Sequence, residues 1–206
     1  FDASRTVLTG NPVRAAVVAL AGRQHDFSGK RLLVMGGSLG AHALNVHVCR
    51  HLDALRAAGI EVRHQTGVRD EAATREAYAA AGYDPACVSA FIDDMASAYA
   101  WADLVLCRAG ATTVAELCAA GLPSVLVPFP YAVHDHQTRN AQALVAEGAA
   151  LMLPEARMES DGLMAQVTDL LQDTGRLRTM AAAASGCARV RAAELVAAEL
   201  ETVCAR

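Results

Sequence analysis

From Arg31 onward, short apolar runs alternate with longer segments whose apolar residues recur with helical period. This alternation is typical of strand–helix–strand units, in which each helix returns the chain to start another parallel strand. The predicted strands are residues 31–35, 60–64, 88–91, 104–107 and 124–127, with a short last strand that ends at Leu153. The expected fold is therefore α/β, with a doubly wound, Rossmann-like parallel sheet of about six strands.

The segments between the strands predict the helices. They cover residues 41–58, 70–81, 93–101, 113–120, 135–147 and 160–171, followed by an Ala-rich helical tail over about residues 175–206. Asp93 is expected to cap the third of these helices, because Asp is a favoured N-cap residue. Residues 1–30 have no clear period, although Asn11-Pro12 predicts a turn and residues 13–21 are compatible with a helix.

Length and composition limit the classes of protein that this chain can belong to. Its 206 residues suffice for one α/β domain and are too few for two domains of ordinary size. A hydrophobic content of 53% supplies a large core and argues against disorder. The net charge of −4, without a long Lys/Arg run, argues against nucleic acid as a partner.

Cysteine use and apolar patterning bear on location. The six cysteines are scattered and form no C-x-x-C pair, which favours free thiols in a reducing cytoplasm. Apolar segments are interrupted well before the roughly 18 residues that a membrane span needs, so any membrane association is expected to be peripheral. Because the chain starts at Phe1 without Met or a targeting pattern, we interpret it as part of a longer protein.

The loop over residues 36–41, with sequence GGSLGA, is the first candidate site. It follows a strand and opens a helix, so unpaired amide groups and the positive end of the helix dipole point at one spot. Glycines allow close approach of an anion, and Ser38 adds a hydroxyl donor, which predicts a phosphate site. A plain strand-to-helix turn is the alternative. The loop is neither a Walker A loop nor a G-x-G-x-x-G dinucleotide motif.

Residues 108–116, with sequence RAGATTVAE, form a second turn into a helix. Two interpretations of Glu116 stay open. In a capping box, Thr113 is the cap and Glu116 reaches back to its amide group. In a ligand site, the Glu116 carboxylate accepts both hydroxyls of a ribose while the helix N-terminus holds a diphosphate.

A polar loop over residues 131–140 runs into a helix past the fifth strand. The stretch over residues 135–140 suits a sugar, because its amide and carboxylate side chains can bond to hydroxyl groups. A metal site at His134 and His136 is the less favoured alternative, since further ligands at a matching spacing are missing. His47 and His51 lie four residues apart on a predicted helix without the Glu of H-E-x-x-H, and a solvent-exposed helix face is the preferred interpretation.

Several segments together resemble the MurG family of peptidoglycan N-acetylglucosaminyltransferases, which convert lipid I to lipid II. The matching segments keep their order between residue 10 and about residue 150. They are GNPVR at 10–14, GGSLGA at 36–41, HQTG at 64–67, FIDDM at 91–95, AYAWAD at 98–103, RAGATTVAE at 108–116 and DHQTRNA at 135–141. The resemblance implies the C-terminal, donor-binding half of a GT-B glycosyltransferase, with residues 1–30 leading in from the interdomain region and an N-terminal acceptor domain absent.

The resemblance also implies a binding site for UDP-N-acetylglucosamine. The implied binding residues are Arg14, Ser38, Ile92, Ala111, Thr112, Thr113, Glu116 and Gln137. Further candidates are Gly36, Gly37, Gly40, Gly110, Asp135 and Asn140. By the family's pattern, Arg14 and the backbone of Ile92 serve the uracil end, Ser38 and its loop the phosphates, and Glu116 the ribose. Ala111, Thr112 and Thr113 line the diphosphate and sugar, and Gln137 meets the N-acetylglucosamine hydroxyls with Asp135 and Asn140.

The activity implied is an inverting, metal-independent transfer of N-acetylglucosamine to the muramoyl 4-hydroxyl of lipid I, without a cofactor. No catalytic residue is expected in this chain, because the acceptor site and the proposed base belong to the N-terminal domain of the family. The expected location is cytoplasmic, peripheral on the inner membrane. A GT-B enzyme with another acceptor and a nucleotide-binding module without chemistry are the alternatives.

Overall fold

The computed structural model describes residues 6–37 and 40–204. Its centre is a six-stranded sheet in which every neighbouring pair is parallel, with the order β3-β2-β1-β4-β5-β6. The strands are β1 Arg31–Met35, β2 Glu61–Gln65, β3 Val88–Ser89, β4 Leu104–Cys107, β5 Ser124–Leu126 and β6 Ala150–Met152. The doubly wound parallel sheet predicted from the sequence is confirmed.

Helices cover both faces of this sheet. They are α1 Ala15–Val18, α2 His42–Cys49, α3 Leu52–Ala57, α4 Glu71–Ala80, α5 Met95–Trp101, α6 Ala111–Ala120, α7 His136–Ala146, α8 Leu163–Gln172, α9 Thr174–Gly186 and α10 Ala192–Cys204. Short 3-10 turns precede β3 and α7 and follow β6, at Pro85–Cys87, Val133–Asp135 and Glu155–Arg157. Among the described residues, no helix combines the length and the apolar character that crossing a bilayer requires.

Alternate residues of each central strand belong to two separate cores. In β1, Leu32 and Val34 pack with the α2, α3, α4 and α8 side, whereas Leu33 and Met35 pack with the α5, α6 and α7 side. Successive side chains of a strand point to opposite faces, so both faces of β1 need apolar residues. Because both faces of β1 are filled by apolar side chains, the end of this strand is where a polar site can open.

The helix predicted over residues 41–58 is broken in two at Arg50 and His51. In a continuous helix the His47 carbonyl would accept the amide of His51. Here the His51 ring Nδ1 donates to that carbonyl at 2.9 Å, and the His51 amide donates to Val48 instead. The side chain thus competes with the helical backbone bond and ends α2. His47 itself is buried, with 5% of its surface exposed, so the solvent-exposed helix face predicted for it is wrong.

Two helix starts also differ from the sequence prediction. Asp94, not Asp93, caps α5: its Oδ1 accepts from the Ser97 amide at 3.0 Å and its Oδ2 from the Ser97 hydroxyl at 2.6 Å. Helix α6 begins at Ala111, and its N-cap residue is Gly110. A capping box would need Thr113 as the N-cap residue, but Thr113 already lies inside the helix. Neighbouring Asp residues have equal capping propensity, and only the path of the chain selects between them.

The helical tail predicted from about residue 175 is two helices, α9 and α10, separated near residues 187–191. Helix α9 contributes Leu177, Met180 and Ala184 to the cores. Leu195, Leu200 and Val203 of α10 remain exposed. An Ala-rich sequence carries strong helix propensity throughout, so local preference alone does not reveal where tertiary packing interrupts it.

Replacing Asp94 by Ala is expected to lower the melting temperature, whereas Asp93→Ala should leave it unchanged, because only Asp94 caps α5. The hydrogen bonds from Ser97 lower the pKa of Asp94. Its stabilisation is therefore fully present above the ordinary carboxyl pKa and is lost as the pH falls through the lowered value. The difference between the variants, measured by thermal melts at several pH values, should shrink in acid. A larger loss in Asp93→Ala would contradict this assignment.

Candidate functional site

A cavity of about 510 Å³ opens at the carboxyl ends of β1 and β4, the two strands at which the strand order of the sheet reverses. Doubly wound sheets bind their ligands at this switch point. The cavity is lined by the end of β1, the loop after it, the first two turns of α6, the segment before α1 and the start of α5. Its size falls within the range of about 300–1,000 Å³ that is usual for small-molecule sites.

The cavity brings together several residues that the sequence singled out from distant segments. They are Arg14, Gly37, Ile92, Thr112, Thr113 and Glu116. Ser38 lies outside the described residues. Gly36, Gly40, Gly110 and Ala111 belong to the same two loops or to the start of α6, without lining this cavity.

Glu116 is the buried charge at the floor of the cavity, with 4% of its surface exposed. Its Oε1 accepts from Arg14 Nε at 3.0 Å and from Arg14 Nη2 at 2.8 Å, and its Oε2 accepts from the Tyr99 hydroxyl at 2.9 Å. The carboxylate therefore makes no capping box with Thr113, and that alternative is wrong. A buried carboxylate without partners would be costly, and these three hydrogen bonds compensate for its desolvation.

Tyr99 holds its proton firmly. Burial, and after it the neighbouring Glu116 carboxylate, raises the pKa of the Tyr99 hydroxyl well above its ordinary value. The hydroxyl is therefore a permanent donor to Glu116 at neutral pH. This donor fixes one carboxylate oxygen from the side of α5, while the guanidinium of Arg14, whose side chain is 55% exposed, holds the other from the solvent side.

The loop after β1 is held from below by Gln65 at the end of β2. The Gly37 amide donates to Gln65 Oε1 at 3.1 Å, and Gln65 Nε2 donates to the carbonyls of Gly37 at 3.1 Å and Ala90 at 2.8 Å. Gly37 has φ +79° with open space where a side chain would start. Gly40 has φ +75°, and a Cβ there would strike the carbonyl of Thr66. Both positions therefore require glycine.

The first turn of α6 adds amide groups with no helical partner. Val114 donates the first intrahelical bond, to Gly110, so the amides of Ala111, Thr112 and Thr113 have no acceptor inside the helix. No side chain of the described residues caps this end of α6. A helix N-terminus of this kind favours an anion, both through free amides and through the helix dipole.

The polar residues just before α7 and in its first turns do not line the cavity. Gln137 Oε1 accepts from the Phe129 amide at 2.9 Å, Asp135 Oδ1 accepts from the Thr138 hydroxyl at 2.6 Å, and Asn140 Nδ2 donates to the Ala109 carbonyl at 3.0 Å. Asn140 thus ties α7 to the loop after β4. His134 and His136 are exposed, and the His136 ring donates to the Val133 carbonyl.

Comparison with known proteins identifies the family of this chain. Residues 31–196 match the model of the glycosyltransferase family 28 C-terminal domain. The chain belongs to this family. A relative in Nitratidesulfovibrio vulgaris, named UDP-N-acetylglucosamine--N-acetylmuramyl-(pentapeptide) pyrophosphoryl-undecaprenol N-acetylglucosamine transferase, is 53% identical over 95% of this chain and 54% of its own length. A Lawsonia intracellularis protein of the same name is 49% identical over 96% of this chain and 55% of its own length.

Solved structures agree with this membership. MurG of Acinetobacter baumannii superimposes with a TM-score of 0.75 and 34% identity, over 89% of this chain and 55% of that protein. The calicheamicin glycosyltransferase CalG4, at 24% identity and a TM-score of 0.56, supports the fold alone. The fold is the doubly wound α/β domain of GT-B glycosyltransferases. The chain spans about half the length of the relatives that it matches.

Three residues of this family 28 domain contribute to the site although none of them was among the predicted binding residues. Gln65 carries a usable signal, because it is a polar side chain at the carboxyl end of a strand. Arg108 carries the same signal: it lines the cavity, donates to the carbonyls of Val127 and Pro128, and forms an ion pair with Glu155. Tyr99 carries no such signal, since a buried tyrosine on an apolar helix face is indistinguishable in sequence from a core residue.

Tyr99→Phe is expected to lower the free energy of unfolding by about 1.5–3 kcal/mol, because it removes a hydrogen bond to a buried carboxylate and leaves one oxygen unsatisfied. Denaturant unfolding of both proteins measures the difference. Tyr131→Phe is the matched control, since Tyr131 is 82% exposed and its hydroxyl should be dispensable. Equal stability of Tyr99→Phe and the parent would show that the Glu116–Tyr99 bond contributes nothing to folding.

Proposed function

We propose that this chain is the donor-binding part of an enzyme that transfers N-acetylglucosamine from UDP-N-acetylglucosamine to the muramoyl 4-hydroxyl of lipid I, forming lipid II for peptidoglycan. The family membership supports this reaction, and so do the names of relatives that are 49% and 53% identical to this chain. The single observation that carries donor binding is one cavity that joins the Arg14–Glu116 pair, the Gly37 loop and the free N-terminus of α6.

The nucleoside end of the donor is assigned to the Glu116 side of the cavity. Arg14 and the Ile92 backbone meet the uracil end, and Glu116 accepts the ribose hydroxyls. A carboxylate has about four lone-pair positions, and three of those on Glu116 are already used by Arg14 and Tyr99. Binding of two ribose hydroxyls therefore requires Arg14 to give up at least one bond. Its half-exposed side chain has the freedom to turn toward the nucleotide.

The diphosphate is assigned to the space between the two helix-opening loops. On the β1 side it is assigned to the loop that holds Gly36, Gly37 and Gly40, and Ser38 of that loop is assigned to it from the sequence resemblance alone. Gly110, Ala111, Thr112 and Thr113 approach it from α6. Glycines at positive φ let the backbone come close to an anion, and the α6 amides already point away from helical acceptors.

The sugar is assigned to Asp135, just before α7, and to Gln137 and Asn140 on α7, where Asn140 donates to the Ala109 carbonyl of the loop after β4. Each of these side chains is now bonded within its own loop or to a neighbouring carbonyl, so binding the N-acetylglucosamine hydroxyls means exchanging those bonds. No metal or cofactor enters this scheme.

The proposed chemistry is an inverting displacement in which the acceptor hydroxyl attacks the anomeric carbon and UDP departs. The diphosphate gains negative charge as the glycosidic bond to it breaks. Preorganised amides at the start of α6 would then stabilise the transition state more than the bound donor, which is how a binding site raises the rate. The Gly37 amide would first have to release Gln65 Oε1. The acceptor hydroxyl and its base are assigned to the half of the relatives that this chain does not span.

The acceptor also determines the proposed location. The relatives' names specify a pyrophosphoryl-undecaprenol acceptor, and undecaprenol is a long apolar chain. We therefore propose that the complete enzyme works on the cytoplasmic side of the bacterial inner membrane, bound peripherally, with UDP-N-acetylglucosamine and lipid I as its partners.

Gly37→Val is expected to abolish UDP binding while leaving the circular dichroism spectrum folded, because a side chain at this position occupies the space that a phosphate would use. Gly59→Val is the matched control: Gly59 also has positive φ and open space, but it lies at the far end of β2. Calorimetry measures UDP and uridine on each protein. Equal affinity of the parent for UDP and uridine would remove the phosphate role from this loop.

The chain is expected to bind UDP-N-acetylglucosamine without transferring the sugar, because transfer requires both substrates in near-attack geometry. Calorimetric titration should show tighter binding of UDP-N-acetylglucosamine than of UDP-glucose. Incubation with radiolabelled donor and a lipid I analogue should give no product, whereas a protein extended by the N-terminal half of a relative should give product. Equal affinity for the two sugars would favour a nucleotide module or a different donor. Transfer by the short chain alone would contradict the two-domain scheme.

A further inference from the structure

Three groups that can bind a metal ion meet where α2 ends and α3 begins. They are His47 on α2, His51 at the break between the helices, and Glu159, which follows the 3-10 turn after β6. One ligand atom from each lies within 4.8 Å of the other two. His47 Nδ1 is 3.4 Å from Glu159 Oε2, and the two imidazole rings are 4.7 Å apart between centroids. None of the three lines the cavity at the switch point.

The hydrogen bond that breaks the helix also prepares His51 as a ligand. Its Nδ1 donates to the His47 carbonyl at 2.9 Å, and a carbonyl oxygen can only accept. The neutral ring therefore keeps its lone pair on Nε2 and is fixed in orientation. Metal-binding histidines commonly donate their second ring nitrogen to a backbone carbonyl in this way.

His47 is a buried imidazole, and one of its two ring nitrogens has no hydrogen-bond partner among the described residues. Only 6% of its side chain is exposed, and its Nε2 has no hydrogen-bond partner among the described residues. The nitrogen that lies 3.4 Å from Glu159 Oε2 is Nδ1, so Nδ1 is the atom offered to an ion and Nε2 stays without a partner.

Glu159 supplies the negative charge of this group of three residues. Its side chain is 73% exposed, so it has freedom to adjust to an ion. The three residues line a cavity of about 750 Å³ that leaves room for water as an additional ligand. Arg50 lines the same cavity and carries an opposing positive charge, but its residue is exposed and its side chain is free to extend into solvent.

We propose that His47, His51 and Glu159 bind a divalent transition-metal ion of the zinc class, with water completing the coordination. Two imidazoles and one carboxylate are a usual ligand set for such ions and a poor one for Mg²⁺ or Ca²⁺. The ion would join the α2–α3 junction to the segment after β6. Glu155 in that segment is the ion-pair partner of Arg108, so the site connects to the donor cavity without contributing to it.

Calorimetric titration of the 206-residue chain with Zn²⁺, in the presence of a non-thiol reductant, tests this site. The parent is expected to bind one ion. His51→Gln and Glu159→Gln should each weaken binding at least about tenfold, since losing even an outer-sphere partner of a ligand costs about that much. His136→Gln is the matched control, an exposed histidine whose Nδ1 also bonds to a backbone carbonyl, and it should bind as the parent does.

Cysteine is the competing ligand for Zn²⁺, because Cys204 is exposed. Titration with Co²⁺ separates the two, since thiolate ligands add a charge-transfer band in the near ultraviolet and imidazole or carboxylate ligands do not. Visible d–d bands without the thiolate band support the site, provided that Glu159→Gln loses them. Failure of the parent to bind, unchanged affinity in both variants with a native circular dichroism spectrum, or a thiolate band would each overturn the proposal.

Discussion

Burial of both faces of the parallel sheet is the constraint on which the rest of this structure depends. Residues of β1, β4 and β5 alternate between two apolar cores, which leaves no face for a polar site. The main cavity therefore lies at the carboxyl ends of the strands, beside the gap between β1 and β4, where the chain departs in opposite directions. Loops of different parts of the chain meet there because the strands beneath them are fixed in register.

Glu116 shows how the fold makes a buried charge useful. Its position on α6 is set by a helix that starts at Ala111, and its two oxygens are held by side chains from α5 and from the segment before α1. A carboxylate held in this way is fixed in orientation, and its desolvation is compensated by three hydrogen bonds. The exposed partner, Arg14, is the one that can exchange its bonds, whereas Tyr99 is locked in the core.

The alternation of apolar runs was enough to predict the parallel sheet, most of its helices and the two loops at the switch point, because period and glycine placement are local properties of a chain. Local patterns failed where two residues compete for one role. Asp94 rather than Asp93 caps α5, and the His51 ring rather than its amide takes the His47 carbonyl. Each outcome depends on the path of the backbone around the helix end, and a short stretch of sequence does not determine that path.

The site divides in the same way. The sequence alone determined that turns containing glycine follow β1 and β4 and that a carboxylate lies near the start of α6, and ordered motifs sufficed to indicate the family. Only the tertiary structure decided that Glu116 bonds to Arg14 and Tyr99 instead of capping its helix, that Gln65 holds the Gly37 loop, and that His47 is buried opposite Glu159. These contacts join residues far apart in the chain, and their energies depend on burial and distance, which exist only after the two cores have closed.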